Sequence, residues 1–331
     1  MTKTWIIIDD KAGNANQAIA VANALGEAYE IKKLEYNFWA FLPNMLKFNS
    51  LIGVKKNLSS NLSPPYPDLI ISSGRRAAAV SNYIKKHNKE CYVTHLMHPD
   101  LPFENFDLVC LPLHDFKESY KQFKNILYTI GAPSWFDTKL LKAKGNSFKD
   151  KLSIEPPFVS LILGGKNKQG EYSLQEYEWL AKKANLLAQE IGASLLITNS
   201  RRTSRDILSN ILQYIEVPYF LFDWHSPFNQ ENPYLAFLNL SDYFIITGDS
   251  ISICSDALTT GKPIYIYRND ELLSKKHRKF LDYLSEVGYT KTLCEETTEL
   301  LKWRYSPLQE AERVCQFIRD RGNVINTTFP I

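Results

Sequence analysis

The chain lacks any apolar run of transmembrane length, any internal repeat and any low-complexity tract. The first absence argues against a membrane-spanning helix. Its five cysteines, Cys91, Cys110, Cys254, Cys294 and Cys315, are scattered and odd in number, and three sit inside apolar runs. That pattern argues against a disulfide scaffold and predicts reduced core thiols in a cytoplasmic protein. A net charge of +3 is too small to imply nucleic-acid binding. Neither G-x-G-x-x-G nor the Lys-Ser/Thr of a P-loop is present. His95 and His98 are spaced H-x-x-H, but no third ligand stands nearby, so no metal is expected. Met1-Thr-Lys-Thr runs straight into a strand, and no signal peptide is expected.

What is present suits a large enzyme. A chain of 331 residues, 44% hydrophobic and 23% charged, exceeds one ordinary core and predicts two domains. The chain is organised around Asp242–Tyr267, a strand–helix–strand unit with Thr247-Gly248-Asp249-Ser250 at the end of its first strand. Open α/β sheets bind ligands at such ends, and a helix N-terminus offers N–H groups to an anion.

Other strand ends gather polar groups in the same way. Trp5–Ile8 runs into a loop, Asp9 to Gln17, that holds Asp10, Lys11, Gly13, Asn14, Asn16 and Gln17 and suits a sugar or phosphate. Pro67–Ser72 enters Gly74, Arg75 and Arg76, an anion seat unless an arginine pairs with a neighbouring acid. His114 beside Asp115, after the strand Phe106–Leu111, has the form of a general base with its orienting partner, or of an acceptor-hydroxyl contact. Phe158–Leu163 opens onto Gly164 and Gly165, and Ser194–Thr198 onto Asn199, Ser200, Arg201 and Arg202. Residues 138–157, rich in Lys, Ser, Gly and Pro, read as a linker between domains at 1–140 and 151–305, with a helix and tail at 306–331. That last helix is expected to start with Ser306 as cap and Pro307, to end at Gly322, and to pack back on the first domain. The basic face of the helix Glu271–Val287 reads as solvated surface.

The stretch Tyr36–Leu58 crowds Phe38, Trp39, Phe41, Leu42, Met45, Leu46, Phe48, Leu51 and Ile52 together with Lys47, Lys55 and Lys56. Two readings stand: a helical excursion packed under the first domain, and an interfacial surface that would place the protein peripherally at the inner face of a membrane.

The tail of the central unit, Asp256-Ala257-x-x-x-Gly261-x-Pro263, resembles the acidic-Ala…Gly-x-Pro signature of the donor domain in two-domain glycosyltransferases. Asp10-Lys11-x-Gly13-Asn14-x-Asn16-Gln17, Ser73-Gly74-Arg75-Arg76, Pro112-x-His114-Asp115, Leu163-Gly164-Gly165, the run Thr198 to Thr203, Asn232-Pro233-Tyr234 and Thr247–Ser250 occur in that order. Together they resemble the mitochondrial fission "elongated mitochondria" family across nearly the whole chain. The resemblance implies a GT-B-like α/β architecture, two Rossmann-like doubly wound domains facing across a cleft. It also implies a metal-independent glycosyltransferase using a nucleotide-diphosphate sugar as co-substrate, with no other cofactor. Gly164, Gly165, Asn199, Ser200, Arg201, Arg202, Gly248, Asp249 and Ser250 would hold the diphosphate and Asp256 the ribose. Asp256 is one methylene shorter than the Glu usual there. Asp10 to Gln17, Gly74 to Arg76 and His114-Asp115 would serve an acceptor, lipid-linked or an envelope saccharide, with His114 as base. The competing implication is a non-catalytic adaptor on the same scaffold. Members of the family are also labelled nucleoside-diphosphate-sugar epimerases. The missing dinucleotide fingerprint argues against hydride transfer, and Tyr-x-x-x-Lys occurs only at Tyr29…Lys33 and Tyr120…Lys124, in no suitable context.

Overall fold

The computed structural model describes residues 3–47, 50–227 and 231–320. The chain divides into two compact units, one of Met1–Trp135 with Gln309–Ile331 and one of Phe136–Leu308.

The first unit is a parallel sheet of β1 (Thr4–Ile8), β2 (Tyr29–Lys33), β3 (Leu69–Ser73), β4 (Tyr92–Leu96), β5 (Leu108–Pro112) and β6 (Ile126–Thr129), in the order β2-β1-β3-β4-β5-β6. Its central strands are β-branched, apolar and buried on both faces, as a parallel sheet covered by helices requires. Helix α1 (Ala12–Leu25) and the C-terminal helix (Glu310–Arg319) cover one face, burying Val21, Ala22, Ala311 and Val314 against Ile6, Ile71 and Leu108. Helix α2 (Arg75–His87) covers the other through Ala77, Ala78 and Ile84 against Ile7, Ile70 and Val93. Gly26, in the left-handed region at φ 75°, ends α1.

Three boundaries differ from the sequence reading. The expected loop Asp9 to Gln17 is loop only as far as Lys11; Gly13, Asn14, Asn16 and Gln17 lie in α1, because the Asp9 carboxylate accepts from Lys11 N (3.0 Å) and holds the turn that starts the helix. Arg75 and Arg76 open α2 and do not precede it. The last helix begins at Glu310, not Pro307: Leu308 N donates to the Leu258 carbonyl, which ties this stretch to the helix Ile251–Leu258 and holds Ser306-Pro307 out of the last one. Gly322, its expected stop, lies outside the described residues.

The second unit opens with α3 (Thr138–Lys149). Its sheet holds β7 (Phe158–Ile162), β8 (Ser194–Thr198), β9 (Tyr219–Phe222), β10 (Tyr243–Thr247), β11 (Ile264–Tyr267) and β12 (Lys291–Thr292) in the order β12-β11-β10-β7-β8-β9, all parallel. This is the dinucleotide-fold order 3-2-1-4-5-6, and its direction reverses between β7 and β10. Between the strands run α4 (Leu174–Glu190), α5 (Asp206–Leu212), α6 (Tyr234–Leu240), α7 (Ile251–Leu258) and α8 (Lys275–Glu286). Ser173 and Glu176 close the capping box that starts α4. Residues 138–157 are not an open linker. Asp137 caps α3 through Lys139 N at 2.7 Å, and Phe148, Leu152 and Ile154 pack on Phe158, Leu196 and Phe237. Their apolar burial outweighs the Lys- and Ser-rich composition, at about 1.5–3 kcal/mol for each large side chain.

Candidate nucleotide-sugar site

The second unit brings its polar strand ends together at the point where the strand order reverses. Gly164 N donates to Thr247 Oγ1 (2.6 Å) and Gly165 N to Asp249 Oδ2 (3.1 Å), tying the loop after β7 to the loop after β10. Thr247 Oγ1 donates in turn to Asp249 Oδ1 (2.7 Å), and Arg202, from the loop after β8, reaches Asp249 Oδ2 at 2.9 Å. The Asp249 side chain is 1% exposed, so its charge needs this ring of donors. The approach is close enough to demand glycine. A Cβ on Gly164 would fall 1.8 Å from Asp249 Oδ1, and one on Gly165 would fall 2.3 Å from the Arg202 and Thr203 backbone.

The rest of the loop after β8 is braced from several sides. The Thr203 hydroxyl donates to the Gly164 carbonyl, and the Glu171 carboxylate accepts from Ser204 N (2.9 Å). Asn199 donates to Asp223 Oδ1 (2.8 Å) and accepts from Trp224 N (2.7 Å). Ser200 accepts from Arg202 N (3.2 Å). Arg202 also donates to the Lys166 carbonyl (3.1 Å), so its guanidinium is committed to the loops themselves. Arg201 is exposed, with no hydrogen bond or ion pair among the described residues. Gly248 N bonds the Tyr267 carbonyl, and half-buried Ser250 caps α7 by accepting from Ile253 N (3.4 Å). One and two turns along, Asp256 Oδ2 accepts from the Tyr234 hydroxyl at 3.1 Å; burial and then this carboxylate push the phenol well above its usual range.

Two of these participants escaped the sequence reading. Tyr234 was legible only as part of Asn232-Pro233-Tyr234. His277 lies on α8, whose basic face does project Lys275, Lys276, Arg278 and Lys279 outward. It is half-buried, bonded to Ser274 Oγ (2.7 Å) and close enough to feel the Asp249 charge, while burial lowers its pKa. Its position three residues after the Ser274 cap was the available signal.

In the first unit the loops after β1 and β3 also meet where the strand order reverses, with different chemistry. Arg76 pairs with Asp9 (3.0 Å) and with Asp10, and stacks over Tyr36 (4.6 Å to the ring centre). Arg75 turns away to the carbonyls of Leu42 (3.0 Å) and Ala40 (3.2 Å). Of the two arginines expected as an anion seat, Arg76 is thus paired with the acids of the first loop and Arg75 braces a neighbouring segment. Gly74 closes on α1, where a Cβ would meet Asn14 Nδ2 at 2.2 Å. Asn14 leans toward Asp9 (3.4 Å), Gln17 donates to the Gly13 carbonyl (3.3 Å), and Lys11 and Asn16 are exposed. His114 and Asp115 sit half-buried on a single 3-10 turn after β5, two strands and on the order of 10 Å from β3. His95 is engaged elsewhere in the core. It is fully buried, with Nδ1 on Ser72 Oγ (2.8 Å), and burial lowers its pKa to about 3. Among the described residues, no group of three or more His, Cys, Asp or Glu could hold a metal ion.

Residues 12–321 match the family described as mitochondrial fission ELM1. The chain belongs to that family. A Rickettsia prowazekii (strain Madrid E) protein, RP120, is 30% identical over 95% of this chain and 97% of its own length. The Arabidopsis thaliana mitochondrial fission protein ELM1 is 25% identical over 76% of this chain, a match spanning 63% of that protein. Among solved structures, the UDP-GlcNAc 2-epimerase of Methanocaldococcus jannaschii superposes with a TM-score of 0.56 at 11% identity, over 96% of this chain and 99% of that one. A Siraitia grosvenorii UGT transferase in complex with UDP gives 0.50 at 10% identity, over 97% and 94%. At such identities the likeness is one of fold: two parallel six-stranded α/β units of the GT-B kind. The ELM1 family member thus carries a fold used by transferases and by an epimerase alike. The missing dinucleotide fingerprint weighs only against hydride-transferring epimerases.

Proposed function

We propose that this ELM1-family chain is a glycosyltransferase that binds a nucleotide-diphosphate sugar on its second unit. The observation that carries the reading is the junction of the loops after β7, β8 and β10 around Asp249. Because Arg202 is spent on Asp249, it leaves Arg201 and the Ser250-capped start of α7 as the groups facing outward. An exposed guanidinium and a helix N-terminus are each groups that suit a leaving diphosphate without a metal ion. Asp256, one to two turns further along α7 and accepting from Tyr234, would take the ribose hydroxyls. In the transfer, an acceptor oxygen bonds to the anomeric carbon as the bond to the diphosphate breaks, and the electron pair leaves on the diphosphate. With inversion, His114 takes the acceptor proton and Asp115 orients it; with retention no such base is needed. Lys11, Asn16 and Gln17 of the first unit are the groups offered to the acceptor.

A second reading rests on the similarity to the Arabidopsis fission protein: a non-catalytic adaptor built on the same scaffold. A thermal-shift screen of nucleotides and nucleotide sugars separates the two. A ligand at one hundred times its Kd stabilises the native state by about 2.7 kcal/mol. Under the transferase reading one class of nucleotide sugar raises the melting temperature, and Arg201→Ala removes that rise while leaving the unliganded melt unchanged. No rise with any of them, from well-folded protein, overturns the reading in favour of the adaptor.

A further inference from the structure

The segment after β2 is built inside out. Two 3-10 turns, Phe38–Phe41 and Asn44–Lys47, bury their polar side chains and expose their apolar ones: Asn44 and Lys47 are 3% and 2% exposed, Phe41 and Met45 78% and 72%. The expected excursion is helical, as two 3-10 turns, but the large apolar side chains of those turns do not pack under the domain, and Phe48 lies outside the described residues. The inversion is held in place. Lys47 Nζ donates to the Ala40 carbonyl (3.2 Å) and Asn44 Oδ1 (2.9 Å), while Asn44 Nδ2 donates to the carbonyls of Arg75 (2.6 Å) and Pro99 (2.9 Å). The Arg75 guanidinium clamps the same turns from α2. Gly53, at φ 94°, packs so closely that a Cβ would meet Ala40 N at 2.7 Å. Among the described residues, seven of the fifteen exposed large apolar side chains lie between Phe38 and Leu58. An apolar patch fixed by buried polar groups is a surface made to be covered.

Charge indicates what covers it. From Tyr36 to Pro67 the chain has no Asp or Glu, and Lys55 and Lys56 are exposed beside the turns. Asp100, which flanks them, is paired with Arg75 (4.0 Å). A cavity of about 360 Å³ opens alongside, lined by Leu51, Leu62 and Tyr66 on its apolar side and by Lys56, Ser59 and Ser63 on its polar side. Among the described residues no helix is long and apolar enough to cross a membrane, so attachment to a bilayer through this unit would be at its surface. Exposed Phe, Trp and Met beside lysines, with the flanking carboxylates of Glu35 and Asp100 each near a cation of its own, Lys33 (3.8 Å) and Arg75 (4.0 Å), match the headgroup boundary of a negatively charged leaflet. We infer that the exposed side chains of the two turns, together with Lys55 and Lys56, form a docking surface for an anionic lipid bilayer.

The test is co-sedimentation of the full chain with vesicles of phosphatidylcholine alone or with 30% phosphatidylglycerol. It compares wild type, Phe41→Ser/Met45→Ser and Lys55→Glu/Lys56→Glu, with melting curves as the check on folding. Wild type is expected to pellet with the anionic vesicles, at least tenfold more than with neutral ones, and to be released by high salt. Each double variant should lose that binding with its melt unchanged. Wild type left in the supernatant with both vesicle types overturns the inference, as does undiminished binding by either folded variant. A concentration-dependent dimer abolished by Phe41→Ser/Met45→Ser would also overturn it, assigning the face to a second copy of the chain.

Discussion

Arg202 and Asp249 stand 2.9 Å apart, and through them three strand ends of the second unit become one rigid junction. The Asp249 carboxylate accepts from Thr247, Gly165 and Arg202, and its side chain is almost sealed from water. Asp249→Asn keeps the shape but removes the charge opposite Arg202. Breaking a buried pair costs about 3–5 kcal/mol, and the lower end applies because Arg202 is partly exposed. Urea unfolding at pH 7 should therefore show a loss of about 3 kcal/mol. Arg201→Ala should show none, since that side chain braces nothing.

The glycines at this junction are expected to differ in their tolerance. Gly165→Ala drives a methyl into backbone, 2.3 Å from Arg202 C, which cannot move without opening the junction. Gly248→Ala meets the end of a flexible side chain, Leu281 Cδ1, at 2.7 Å. Overpacking costs about 1–3 kcal/mol. Gly165→Ala should fall at the top of that range or beyond and Gly248→Ala near its foot, a ranking that paired denaturation curves would read directly. Equal losses would mean the β7 loop is looser than its hydrogen bonds suggest.

His95 makes the first unit sensitive to acid. Its folded pKa, about 3, lies below the ordinary 6.5 because burial disfavours the imidazolium. Between those values the unfolded chain holds a proton that the folded chain does not, so stability falls as pH drops from 6.5 toward 3, by about 1.4 kcal/mol per unit. His95→Gln lacks this group, and the gap in unfolding free energy between wild type and variant should shrink steadily over that interval. A constant gap would show that the imidazole is reached by water.

Lys47 acts at the other end of the pH scale. Burial, with Arg75 nearby, lowers its pKa from 10.5 to about 8. Above pH 8 the folded chain has lost a proton that the unfolded chain keeps, so the contribution to stability rises from pH 8 toward 10.5. Wild type should gain on Lys47→Met across that range in urea titrations at pH 7, 8, 9 and 10. No relative gain would place the ammonium in solvent.

Much of the fold is written in the buried strands. Phe244, Ile245 and Ile246, or Ile6 and Ile7, are apolar on both faces because both faces are covered, and such runs are legible without partners. Edge strands β2 and β12 were not, since Glu30, Lys33, Lys291 and Thr292 face water and look like loop. At the candidate site the clustering of Gly164, Arg202 and Asp249 at strand ends could be read, but not which arginine is spent. The partners of Arg75, Arg76 and Arg202 are carbonyls and carboxylates brought near by packing, and nothing in the spacing of the arginines names them. The inverted turns were obscured for a related reason. A crowd of Phe, Trp and Met next to Lys ordinarily means apolar in and charge out, and only the geometry around Lys47 reverses it.

The C-terminal helix has a consequence for the order in which the molecule is made. Ala311, Val314 and Cys315 complete the core begun by Val21 and Ile6, with Cys315 Sγ reaching the Val21 carbonyl at 3.2 Å. Everything from Phe136 to Leu308 is therefore an insertion in the first unit, complete in itself before its host is. On the ribosome the part translated second can close its core first, while the amino-terminal sheet, its six strands already made, waits with one face partly bare for Glu310–Arg319 to arrive.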